Sequence, residues 1–139
     1  MTSSDPSPET NLTLSQAALE FITERHLATL TTLRHDGSPH VVPVGFTIDQ
    51  PAGVVRVITF AGSAKAAHAV HGTRAAVCQV DGARWITFEG TVTVSDDPAH
   101  VAFAVAAYAE RYRQPKERTD RVVLHLVVDR VLSSARLQA

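Results

Sequence analysis

The sequence predicts an antiparallel β-barrel with helical caps, and three observations lead there. Stretches rich in β-branched and aromatic residues recur six times along the chain. Asp36-Gly37 and Asp81-Gly82 stand between neighbouring stretches as tight hairpin turns, with glycine supplying the positive-φ position. Helical patterning falls in only three places, too few to give a parallel sheet its crossover helices.

A chain of 139 residues suits one domain. Met1 to Asn11 is Ser, Thr, Pro and acid without apolar periodicity and reads as a disordered leader, which leaves residues 12–139 as the domain. A formal net charge of −1 argues against a general nucleic-acid binder. The single cysteine, Cys78, excludes an intrachain disulfide and a Cys-rich zinc site. The apolar run Val101–Ala109 is too short to cross a membrane, and no basic apolar signal opens the chain, so the cytoplasm is the expected location.

In chain order, a helix is expected from Ser15 to Arg25, with Leu14, Ala18, Phe21 and Ile22 on one stripe. Strands follow at Leu27–Leu33 and Pro39–Ile48. Pro43 cannot donate to a ladder and should lie at an edge or where pairing opens; Gly45 admits a close neighbour. The next strand is Val54–Phe60. Strands Arg74–Val80 and Arg84–Val94 form a second hairpin. Asp97 and Pro98 then start a helix to about Arg113, whose apolar residues point to cover on more than one side. Arg121 to Leu132 is the last strand.

The stretch from Val54 to Gly72 carries the most chemistry. After its strand the chain breaks at Ala61-Gly62, and Ser63 caps a short helix from Ala64 to His71. A serine hydroxyl and Lys65, one of two lysines in the chain, then share a helix start with unpaired N–H groups. That arrangement is either a cap beside a solvated lysine or a seat for a phosphate. No P-loop or dinucleotide glycine motif is present. Seven histidines include His68 and His71 one turn apart, but none has metal-ligand spacing; His68 and His71 read as solvated, and His125 as a hydrogen-bonded core or interface residue. Trp85 is either core packing or a stacking wall for a ring system. Arg111, Tyr112 and Arg113 are either a solvated helix end or an anion clamp.

Leu27 to Arg34 with Asp36-Gly37-Ser38-Pro39-His40-Val41-Val42, Arg56-Val57-Ile58-Thr59 with Ser63-Ala64-Lys65, and Cys78 to Trp85 with Glu89-Gly90 together resemble the pyridoxamine 5′-phosphate oxidase-like split β-barrel family, in its deazaflavin-dependent branch. The resemblance covers about Leu14 to Leu137. It implies an FMN-binding-like split barrel and a homodimer with coenzyme sites at the subunit interface. It implies coenzyme F-420 as hydride donor to a conjugated small molecule, a tetrapyrrole of the biliverdin kind. By position, Ser63, Ala64 and Lys65 would hold the coenzyme's phosphate, and Val42, Pro43, Val44, Ile58 and Thr59 would line its ring. Gln79, Arg84 and Trp85 would close the site, and Arg111 and Arg113 would meet substrate carboxylates. Ala64 stands where flavin-dependent members tend to carry arginine, which leans away from FMN. An FMN-dependent oxidoreductase and a non-catalytic carrier of flavin, deazaflavin or haem are the other readings.

Overall fold

The computed structural model describes residues 12–139; the leader expected over Met1–Asn11 lies outside them. Strands β1 (Ala28–Leu33), β2 (Pro39–Val44), β3 (Thr47–Asp49), β4 (Val54–Phe60), β5 (Thr73–Asp81), β6 (Arg84–Ser95) and β7 (Arg121–Ser133) form one seven-stranded antiparallel sheet in the order β2-β1-β5-β6-β7-β4-β3. The helices are α1 (Gln16–Thr23), α2 (Ala64–Ala69) and α3 (Pro98–Arg111), with a 3-10 turn at Ala135–Leu137. Both predicted hairpins form, with Gly37 at φ 87° and Gly82 at φ 62°, where a side chain would be strained.

The strand expected from Pro39 to Ile48 is two strands. They lie at opposite edges of the sheet and are joined only by Gly45 and Phe46. Two linking residues bridge roughly 10 Å at most, so the sheet must curl until its edges approach at that corner. It is not closed by hydrogen bonds, which makes the barrel a split one. The break is physical: Phe46 turns inward and is wholly buried, and the space over Gly45 is taken by aromatic rings. A Cβ there would lie 2.9 Å from Tyr108 Cε2 and 3.1 Å from Tyr112 Cε2. Pro43 does sit on an edge strand, as its missing N–H requires.

The inner face holds one core. Leu30, Val55, Val57, Val77, Ile86, Phe88, Leu124 and Leu126 point into it from the strands, and Ala18, Phe21 and Ile22 of α1 close one end. Ser15 caps α1 by accepting from the Ala18 N–H and donates to the Leu137 carbonyl at 2.8 Å, which ties the first helix to the closing turn. Asp97 caps α3 with Pro98 behind it, as expected.

Helix α3 lies over the outer face of β4 and β7, with Arg56 of β4 stacked 4.7 Å from the Phe103 ring centre. Within the helix only Ala104 is buried, and Phe103 is 57% exposed, so the expected cover on several sides is absent in the single chain. Among the described residues no helix is long and apolar enough to cross a membrane.

Candidate functional site

Strand β4 delivers its last inward residue, Thr59, against the start of α2. The Thr59 hydroxyl donates to Ser63 Oγ at 3.0 Å, and the Ala66 N–H donates to the same oxygen at 3.2 Å. Both lone pairs of Ser63 are therefore engaged, and its own hydroxyl hydrogen is left to donate. Lys65, one residue into the helix and half-buried, has no acid partner among the described residues, and burial lowers its pKa. A hydroxyl donor and a cation without a counter-charge stand side by side, which suits a phosphate or another anion. Ala64 between them is exposed.

The other expected site residues divide into three groups. Pro43 and Trp85 face outward on the uncovered side of the sheet; Trp85 is 36% exposed, not deep in the core. Val42, Val44 and Thr59 turn inward, while Ile58 lies on the face of Arg56, toward α3. Gln79, Arg84 and Arg111 belong to a polar network at the α1 end of the barrel. Gln79 is wholly buried; it donates to the Phe21 carbonyl at 2.9 Å and accepts from Arg111 Nη2 at 2.7 Å. Arg111 also donates twice to the Glu24 carbonyl, at 3.1 and 2.8 Å, and once to the Phe46 carbonyl. None of the five principal clefts of the single chain combines the residues expected around the coenzyme. Arg111 and Arg113 line different clefts.

Sequence reasoning missed that network. Its one legible signal was Gln79, a glutamine in phase with buried Ala75 and Val77 on β5, which therefore had to find partners in the core. Two histidine readings also change. His68 is not solvated: its Nδ1 is 2.8 Å from the buried Thr32 hydroxyl, and its ring meets His40 edge-on at 5.0 Å. His125 is not hydrogen-bonded at Nε2, which is buried without a partner.

Glu24, His26 and Asp81 offer three ligand atoms within 4.8 Å of one another. Arg84 already occupies that corner. Its guanidinium grips both oxygens of Glu24 at 2.9 and 3.0 Å and reaches Asp81 at 2.7 Å. This contact first, and the His26 ring second, hold the Glu24 carboxyl at about 2 against an ordinary 4.5. A depressed carboxylate contributes stability above its unfolded pKa and loses it as pH falls. Glu24→Gln should therefore lower the melting temperature at pH 7. The gap from wild type should narrow as pH drops from about 4.5 toward 2, followed by circular dichroism at each pH. A gap that stays constant over that window would show that the carboxylate is not held this way.

The uncovered side of the sheet is the other unusual surface. Cross-strand pairing lays Pro43, Thr29, Cys78, Thr87 and Leu132 in one row across five strands. Val80 pairs with Trp85 beside it. Val41, Val80 and Leu132 are 57%, 59% and 39% exposed, large apolar side chains on a face that no helix of the described residues covers.

Comparison with known proteins now has geometry to rest on. The model of the pyridoxamine 5′-phosphate oxidase family matches residues 14–135. The chain belongs to this family. A biliverdin reductase of Mycobacterium tuberculosis (strain CDC 1551 / Oshkosh), dependent on reduced coenzyme F-420, is 51% identical over 92% of this chain and 93% of its own. Among solved structures, a conserved hypothetical protein of Mycobacterium tuberculosis superposes with a TM-score of 0.74 at 23% identity, covering 93% of this chain and 89% of that one. An F-420 reductase superposes at 0.67 and 22% identity over 81% of this chain and 94% of its own. The HupZ protein of Group A Streptococcus superposes at 0.71 and 17% identity over 91% and 99%. At these identities the solved structures establish the fold, a split barrel of the kind expected.

Proposed function

We propose that this chain is a cytoplasmic, homodimeric oxidoreductase that uses reduced coenzyme F-420 to reduce biliverdin to bilirubin. The observation that carries it is the 51% identity to the biliverdin reductase over nearly the whole of both chains. It is supported by Ser63 and Lys65, a hydroxyl donor beside a cation with no acid partner among the described residues, whose chemistry fits a coenzyme phosphate.

Reduced coenzyme F-420, when bound, supplies the hydride. The chain's own part is to hold and to shield. Ser63 donates its hydroxyl hydrogen to the phosphate, oriented for it by Thr59 and the Ala66 N–H. Lys65 supplies the charge. Pro43 and Trp85, which face outward, offer an apolar and a flat aromatic surface to the ring, while Val42, Val44, Ile58 and Thr59 back the strands that carry the site. Gln79 and Arg84 act through the walls they brace, since their polar atoms are bound to Phe21, Arg111, Glu24 and Asp81. Holding donor and acceptor carbons in register accounts for much of the rate in such a reaction.

The test is a titration of Lys65→Ala with oxidised coenzyme F-420. Loss of one partner in a charge-assisted phosphate contact costs about 1.5–3 kcal/mol, so affinity should fall roughly ten- to a hundred-fold. The salt dependence of binding should shrink as well, with the melting temperature almost unchanged. Wild-type affinity and salt slope in the variant would remove the phosphate seat.

The homodimer rests on the uncovered apolar face and on the dispersal of the expected coenzyme residues over several surfaces of one chain. Val80→Asp places a charge on that face, beside Trp85, without touching the core. Light scattering at micromolar concentration should give a dimer mass for wild type and a monomer mass for the variant, with coenzyme affinity lost alongside. A wild-type monomer that binds coenzyme fully would overturn the shared site.

A further inference from the structure

Of the eleven arginines, all within the described residues, eight donate to a carboxylate, a carbonyl or a hydroxyl of the chain, or sit within ion-pair distance of an acid. Only Arg25, Arg113 and Arg136 have no such partner among the described residues. Arg25 and Arg113 line one cleft of about 370 Å³ together with His26, Leu27, Tyr108 and Tyr112. No acidic side chain lines it. Its floor is rigid. Tyr112 is buried, donates its hydroxyl hydrogen to the His26 carbonyl at 2.7 Å, and accepts from the Phe46 N–H at 3.2 Å. The Tyr108 ring stacks on it at 4.8 Å. Leu27, 63% exposed, adds an apolar edge.

The cleft's place in the fold gives this composition its meaning. Leu27 precedes Ala28, whose partner across the hairpin is Val44. Tyr108 and Tyr112 press on Gly45, the next residue. The cleft therefore begins where the outward Val41 and Pro43 side of β2 ends. A flat conjugated ligand resting on that outward side would carry its acidic arms toward the cleft that Arg25 and Arg113 line.

We propose that Arg25 and Arg113 form a carboxylate-binding subsite for a flat conjugated ligand held against the outward side of β2 at Val41 and Pro43. This rests on the reading of Pro43 as part of the coenzyme and substrate site. It also divides the arginine pair expected from the sequence: Arg113 binds the ligand, Arg111 does not, and Arg25 takes its place. Guanidinium is the apt group, because its planar fork meets a carboxylate with two parallel hydrogen bonds.

Two ligands could bring the carboxylate, the substrate through its propionates or the coenzyme through its acidic tail, and one set of titrations separates them. Biliverdin and its dimethyl ester are titrated into wild type and the Arg25→Ala/Arg113→Ala double variant, read by pigment absorbance without turnover. The double variant should bind biliverdin about ten- to a hundred-fold more weakly. The ester should bind both proteins alike, as weakly as the variant binds the diacid. Arg25→Lys/Arg113→Lys should recover part of the loss and its salt dependence. Oxidised coenzyme F-420 and its tail-less deazaflavin fragment form the second arm: a loss confined to the full coenzyme assigns the subsite to the tail. If the variant binds biliverdin and full coenzyme as wild type does, or loses diacid and ester equally, the subsite does not exist. The outcome is separate from that of Lys65→Ala, which tests the phosphate seat and not this cleft.

Discussion

Arg111→Met should cost this protein about 3–5 kcal/mol, enough to lower the melting temperature by roughly 10–20 °C in a domain of this size. The side chain joins three parts of the barrel that nothing else connects in this way. Its Nε and Nη2 bind the Glu24 carbonyl at the end of α1, and its Nη1 binds the Phe46 carbonyl at the corner between β2 and β3. Its Nη2 also binds Gln79 Oε1 in the core. Its charge is spread over the faces of Phe46 and Tyr112, with ring centres 4.5 and 4.9 Å away. Methionine keeps much of the volume but leaves Gln79 Oε1 a buried orphan at about 1–3 kcal/mol, and it strips the charged donor from the Glu24 and Phe46 carbonyls, which keep only the His26 N–H at 3.0 Å and a long Tyr112 contact at 3.5 Å. Lysine keeps the charge but, as a point donor, cannot replicate the fork, so Arg111→Lys should recover only a small part. Arg113→Met should move the melting temperature by no more than a degree or two, since that side chain is exposed and has no bonding partner among the described residues. Thermal denaturation of the three variants checks this. A loss under 3 °C in Arg111→Met would show that water serves these carbonyls as well as the arginine does.

The contrast between these two arginines shows where sequence reasoning stops. On paper Arg111, Tyr112 and Arg113 are one tripeptide with one character. In the fold, the first is a strut reaching back 87 positions to Glu24 and the third lies on the surface. Features set by neighbours in the chain were legible. The Asp36-Gly37 and Asp81-Gly82 turns, the Ser63 and Asp97 caps and the alternation of β4 depend on local backbone geometry. Features set by distant partners were not. Val44-Gly45-Phe46-Thr47 continues an alternating strand, and only Tyr108 and Tyr112, more than sixty positions on, explain why the chain turns there. His68 looked solvated on an alanine-rich helix because its partners, Thr32 and His40, sit on strands before it. The split in the barrel follows from the same corner, so the strand count could not be had without it.

The second large effect is expected at Gly90, where the resemblance quoted a Glu-Gly pair with no physical reason attached. Gly90 stands at the bulge where β6 shifts register against β7: Glu89 pairs with Arg130, but Gly90 pairs with Val128. The bulge brings the two backbones unusually close. A Cβ built on Gly90 would lie 1.8 Å from the Val127 carbonyl oxygen and 2.7 Å from its carbon. An ordinary carbon–oxygen contact needs more than 3 Å, so alanine must push β7 outward by over an ångström. Side chains cannot absorb this, because the obstacle is main chain. Strand β7 joins β6 to β4, so displacing it strains the Val55, Leu124 and Leu126 layer of the core as well as the ladder. Gly90→Ala should therefore cost more than about 4 kcal/mol and yield little soluble protein. Gly62→Ala is the matched control: a Cβ there meets nothing closer than 3.8 Å, and its stability should stay within about 0.5 kcal/mol of wild type. Soluble yield and melting temperature of the two variants decide the matter. A Gly90→Ala protein that melts within a few degrees of wild type would mean that β6 and β7 do not cross at this bulge. The register that sets Trp85, Thr87 and Leu132 on the open face would then be wrong with it.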